Sequence, residues 1–129
     1  MTPSLIGVDP SDMILDGLAD AFPGIAFGWD MPAGQRRKTF LTLDPGSMPT
    51  PVSQYMTLTL SCYAPQADGT ADMQAASGMF RDCARWLIAR RTTGPLIDAS
   101  LQSGPVDAHD TRLGVDYAYG AILLTVTAR

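Results

Sequence analysis

At 129 residues the chain has the usual length of one domain, and 46% apolar residues are enough to bury about two-thirds of its extended surface, which excludes global disorder. Only 17% of the residues are charged, and 9 Lys and Arg face 13 acids, every one of them Asp, for a formal charge of -4. That balance argues against a general nucleic-acid binder, which needs a net or local positive field to hold phosphates.

The first element is a helix. Asp9 is placed to cap it, Pro10 suits the first helical position, and Asp12 follows in the first turn. Ile14, Leu15, Leu18, Ala21 and Phe22 form its apolar face. Asp12, Asp16 and Asp20 recur every fourth residue on another face, where like charges repel, so that face turns to water or to a basic partner. Pro23 and Gly24 end the helix. Residues 25–31 read as a short strand, 32–34 as a turn, 35–38 as a basic turn or strand start, and 39–44 as a second strand. The segment 45–51 is rich in proline and reads as an exposed loop.

Residues 52–64 carry the clearest strand pattern. Met56, Leu58, Leu60 and Cys62 point one way, and Thr57, Thr59, Ser61 and Tyr63 the other. A turn over 65–70, with Asp68 or Thr70 as cap, leads to a second helix over 71–91. Its apolar stripe is Ala75, Ala76, Met79, Phe80, Cys83, Trp86 and Leu87, with Arg81, Arg85, Arg90 and Arg91 around it. A short strand over 96–103 is expected to turn Ile97, Ala99 and Leu101 inward. A turn-rich connection spans 104–110, and a last strand covers 113–128, with a bulge near Gly120-Ala121. The economical packing is an α/β domain of the α+β type: one mostly antiparallel sheet of four to five strands with two helices on one face, over residues 1–129.

Chemistry-bearing residues are few. His109 is the single histidine, and with Asp107 and Asp110 it forms the one cluster able to act as a base in a small hydrolase. No close-spaced Cys or His pair offers a metal site, and no cofactor motif is present, so neither a metal nor a cofactor is expected. Cys62 and Cys83 read as buried small hydrophobes in a reducing compartment, without a disulfide. No run of about 20 apolar residues predicts a membrane helix, and the first ten residues lack the basic flank and apolar segment of a signal peptide. Arg36, Arg37 and Lys38 predict a local positive patch in an acidic chain. Trp86 is expected in the core. Trp29, Met48 and Tyr55, on or near irregular segments, are interface candidates.

The order of segments resembles the tail terminator, or tail completion, proteins of long-tailed bacteriophages. The residues that carry the resemblance begin with a first helix ending in Phe22-Pro23-Gly24, a basic hairpin, and a loop rich in Pro and Gly. The strand 55–64, an alanine-rich helix opening at Ala71, the run Ser103-Gly104-Pro105, an Asp-containing loop, Arg112 and a closing aromatic-then-aliphatic strand complete it. The resemblance implies a structural virion protein without catalysis, assembled in the host cytoplasm into a hexameric ring at the tail–head junction. Its partners would be further copies of itself, the tail tube protein and the head connector protein, with DNA passing through unbound and no membrane involved. By position, Arg36, Arg37 and Lys38 and the loop from Met48 to Tyr55 would face neighbours or the tube, and Asp12, Asp16 and Asp20 would receive the basic hairpin. A head-closure or minor tail protein is the alternative within the same setting.

Overall fold

The computed structural model describes residues 5–129. Residues 1–4, part of the stretch on which the signal-peptide expectation rests, lie outside the described residues. The elements follow as α1 (Ser11–Ala21), β1 (Ala26–Gly28), β2 (Lys38–Pro45), β3 (Ser53–Tyr63), α2 (Met73–Ala89), β4 (Leu96–Asp110) and β5 (Val115–Thr127). The five strands form one sheet in the order β1-β2-β3-β5-β4. Every pair is antiparallel except β1 with β2. Both helices pack on one face, as the sequence pattern predicts.

The period-two pattern of β3 sets the two faces. Met56, Leu58, Leu60 and Cys62 stand opposite Leu124, Ile122, Gly120 and Ala118 of β5, and Leu43, Leu41 and Thr39 of β2 continue the same face. Apart from Leu43, which is half-buried against this core, all of these side chains are buried, beneath Ala76, Met79, Phe80, Cys83 and Leu87 of α2 and Ile14 and Leu18 of α1. Gly120 is where the last strand makes room for a helix residue. A Cβ there would collide with the Phe80 ring and with the Ser103 carbonyl. Gly17 does the same between the helices, where a side chain would overlap the Trp86 ring.

Trp86 is therefore half-buried rather than fully core, its ring lying between Gly17 and the Arg90 guanidinium, whose carbon is 4.2 Å from the ring centre. The cap of α2 is neither Asp68 nor Thr70. Asp72 accepts from the Ala75 amide at 3.0 Å, while Asp68 closes a tight turn onto the Thr70 amide and hydroxyl. At α1, Asp9 accepts from the amide of Ser11, and Pro10 precedes the helix rather than opening it. Ala21, expected on the apolar face of α1, is exposed.

Four strand expectations change. The strand predicted over 25–31 shrinks to Ala26–Gly28 and runs parallel to β2, so Arg36 and Arg37 end a crossover connection, Lys38 opens β2, and the triplet is not on a hairpin. The connection predicted over 104–110 is instead the second half of β4, which runs fifteen residues to Asp110. β4 is an edge strand, and an edge accommodates Pro105 because its outer side needs no ladder donor. The bulge expected in β5 lies across from it, as register shifts of β4 at Leu101/Ser103 and Ser103/Val106. Another shift at Leu96/Asp98 turns Ile97 out, leaving Leu96 and Ala99 as the buried residues of β4, with Ile97 46% and Leu101 51% exposed.

Among the described residues the second face of the sheet carries no helix. Phe40, Thr42 and Asp44 of β2, Tyr55, Thr57, Thr59 and Ser61 of β3, and Tyr119, Ala121, Leu123 and Thr125 of β5 lie across it by register. No helix among the described residues is long and apolar enough to cross a membrane.

Candidate functional site

Three connections meet at one end of the sheet. They are the crossover 29–37, the β3–α2 loop, and the β4–β5 turn. Each bends at a glycine in the left-handed region: Gly34 (φ 91°), Gly69 (φ 85°) and Gly114 (φ 69°). Between them lies a cavity of about 300 Å³. Its walls are apolar at Ala64, Pro65, Leu113 and Val115 and polar at Gln35, Lys38, Tyr63 and Asp116.

Lys38 opens β2 and is only 7% exposed. Its Nζ donates to the carbonyls of Pro32 and Gly34, both at 3.1 Å, and stands 5.8 Å from the centre of the Tyr63 ring. The side chain thus fastens the crossover that it follows. The expected surface triplet is therefore a pair: Arg36 and Arg37 are exposed, and Lys38 is buried.

Tyr63 ends β3 and stacks on Tyr117 at 4.8 Å between ring centres. Its hydroxyl donates to Asp110 Oδ2 at 2.9 Å. Burial, and then the Asp110 carboxylate, push the phenol above its ordinary range. Asp110 Oδ1 accepts from the amides of Arg112 and Leu113, each at 3.0 Å. The Leu113 amide, followed by the Tyr63 hydroxyl and the Arg112 amide, holds the Asp110 carboxyl below the usual carboxylate range.

The expected cluster of His109 with Asp107 and Asp110 does not assemble. Register places His109 opposite Asp116, and His109 Nδ1 meets Asp116 Oδ1 at 2.8 Å, with both side chains more than half exposed. Asp110 is committed to the turn and to Tyr63, and Asp107 lies opposite Ala118. Alternation along a strand separates Asp110 from His109, and Asp116 comes to it across the hairpin. Among the described residues no group of three His, Cys, Asp or Glu is arranged to hold a metal ion.

The remaining interface candidates are spread over the molecule. Asp12, Asp16 and Asp20 are exposed on α1. Met48 is exposed in the loop after β2, whose base is tied to β3: the Gly46 amide donates to the Tyr55 carbonyl at 2.7 Å, and the Tyr55 amide donates to the Ser47 carbonyl at 2.9 Å. Tyr55 itself is half-buried. Trp29 is half-buried against the core and borders a second cavity, of about 380 Å³, with Leu43, Gln54 and Met56. Cys62 and Cys83 are both buried free thiols.

The role of Tyr63 and the burial of Lys38 were not read from the sequence. Parity puts Lys38 with Phe40 and Thr42 on the open face of β2, opposite Tyr63, and so gives no sign of its burial. The chain matches no protein-family model, and no curated protein matches it.

Proposed function

We propose that the chain is a structural subunit of a phage tail, of the tail-terminator kind, associating head to tail into a closed ring that caps the tail tube and joins it to the head connector. The observation that carries this reading is the inequality of the two sheet edges. One edge is β1, three residues long. The other is β4, fifteen residues long, and it leaves Ile97, Leu101 and Val106 between 45% and 51% exposed. Leu101 stands opposite Ile122 on the helix-covered face and Val106 opposite Tyr119 on the open one, so the apolar exposure follows the edge itself, and an exposed apolar edge strand favours pairing with a partner. Unlike surfaces that fit one another make heterologous contacts, and such contacts close into a ring when the rotation allows.

Charge supports the same reading. Arg36 and Arg37 are exposed on the crossover, and Asp12, Asp16 and Asp20 are exposed on α1. Across a subunit boundary these would set the register and reject wrong pairings. The net charge of -4 per subunit would repel DNA from the lumen, so that it passes without condensing on the wall. The number six and the named partners come from the resemblance in segment order alone.

Sedimentation velocity and electron microscopy, with and without tail tubes, test the ring. Closed hexamers, free or on tube ends, are expected. Arg36→Glu with Arg37→Glu should weaken assembly, and Asp16→Lys in the same chain should partly restore it. A chain that stays monomeric with tubes present overturns the proposal.

A further inference from the structure

Lys38 is the only lysine in the chain. Its ammonium has three protons, and the carbonyls of Pro32 and Gly34 take two of them. No carboxylate among the described residues lies within 4.0 Å of it. A buried charge is ordinarily paired, because removing an ion from water costs far more than neutral acceptors return. The carbonyl groups orient this charge without neutralising it, and the side chain lines the cavity at the end of the sheet.

That cavity has the features of a small anion receptor. At about 300 Å³ it has the volume of one side chain or chain end with its neighbours rather than of a large cofactor. Its apolar walls raise the strength of any charge pairing formed inside. Gln35 lines it, and Arg36 and Arg37, which follow Gln35 in the chain, are exposed outside its lining. The one acid in its lining, Asp116, is more than half exposed and already hydrogen-bonded to His109, so water screens it from the interior.

We propose that this cavity receives a carboxylate from an acidic segment of a partner protein, with Lys38 as the buried counter-charge and Arg36 and Arg37 holding the flanking residues. The inference concerns a site on the free chain; it shares Arg36 and Arg37 with the ring contact proposed above, whereas Lys38 and the cavity belong to it alone. The carboxylate accepts the remaining Lys38 proton, and the ion pair completes in the bound state what the free chain leaves half made. Partners that place a neutral amide in the cavity would forgo that neutralisation, so the site selects for acid over amide.

Titration by nuclear magnetic resonance, following the amides of Gln35, Gly69 and Leu113, tests this with three blocked tripeptides. One carries a central aspartate, one a central asparagine, and one only a free C-terminal carboxylate. The expected result is a saturable shift with a carboxylate peptide, at least tenfold weaker with the asparagine peptide. The tighter of the two carboxylate peptides identifies the source as a side chain or a chain end. Lys38→Met should abolish the difference between acid and amide. Because that substitution also releases the crossover, Leu113→Trp serves as a second variant, blocking the cavity from the hairpin tip with Lys38 left in place, and it too should abolish binding. Equal shifts from the aspartate and asparagine peptides, saturable binding unchanged by Leu113→Trp, or no saturable shift at millimolar peptide overturns the proposal.

Discussion

Asp110 uses both carboxylate oxygens, one on the Tyr63 hydroxyl and one on two amides of the β4–β5 turn. Its folded-state pKa lies below the unfolded value, so its contribution is present above about pH 4 and is lost as the pH falls through the lowered value. Asp110→Ala should cost about 1–2 kcal/mol at neutral pH in urea unfolding and flatten the acid limb of the stability profile; an unchanged acid limb would show that the turn holds without this carboxylate. The cysteines behave in the opposite sense. Burial pushes Cys62 up to about 11, against the small opposing pull of the Thr39 hydroxyl, and raises Cys83 further, with Cys62 and Asp82 adding to it. An unfolded thiol ionises near about 8.5, so these two groups favour the fold below that pH and lose the contribution as the pH rises toward the folded values. Neither thiol should react with a thiol reagent in the native protein at pH 8, and both should react in guanidinium.

At the scale of elements, the contact between α2 and β5 depends on a side chain that is not there. Phe80 occupies the space above Gly120, and the Ser103 carbonyl of β4 closes the same space from the side. Gly120→Ala should therefore destabilise by about 1–3 kcal/mol through overpacking, whereas Phe80→Ala should cost about 3–5 kcal/mol through the cavity it leaves. Thermal denaturation of the two variants separates these. A neutral Gly120→Ala would mean that the helix can lift from the sheet at little cost. Trp86 belongs to a different contact, between the helices. Because it is half-buried under Arg90, its truncation should cost less than that of Phe80, about 1–3 kcal/mol.

For the whole molecule, magnitude decides which surface drives association. An exposed ion pair contributes about 0–1 kcal/mol, and burying one leucine contributes about 1.5–3 kcal/mol. The apolar edge of β4 therefore outweighs the arginines of the crossover. Leu101→Asp should reduce assembly more than Arg36→Glu, and only the arginine variant should lose its effect at high salt, as light scattering across a salt series would read. Equal salt dependence of the two variants would place the arginines, not β4, at the centre of the interface.

The periodic elements were legible in the chain itself. The alternation of β3 and the apolar stripe of α2 each report burial on one face, and one-sided burial leaves a period in the sequence. β4 was not legible beyond its first residues. An edge strand whose two faces are largely open owes its form to hydrogen bonds with β5, and such bonds put no period into the side chains. The direction of β1 likewise depends on how the crossover returns, which Lys38 helps to fix from the far end of that segment. The same division runs through the site. Sequence singled out His109 and the basic triplet, because residue type is a local property. Cross-strand register then paired His109 with Asp116, alternation sent Asp110 to Tyr63, and the closing of three loops buried Lys38 while leaving Arg36 and Arg37 outside. Those outcomes are decided by contacts between residues distant in the chain, and only the tertiary structure contains them.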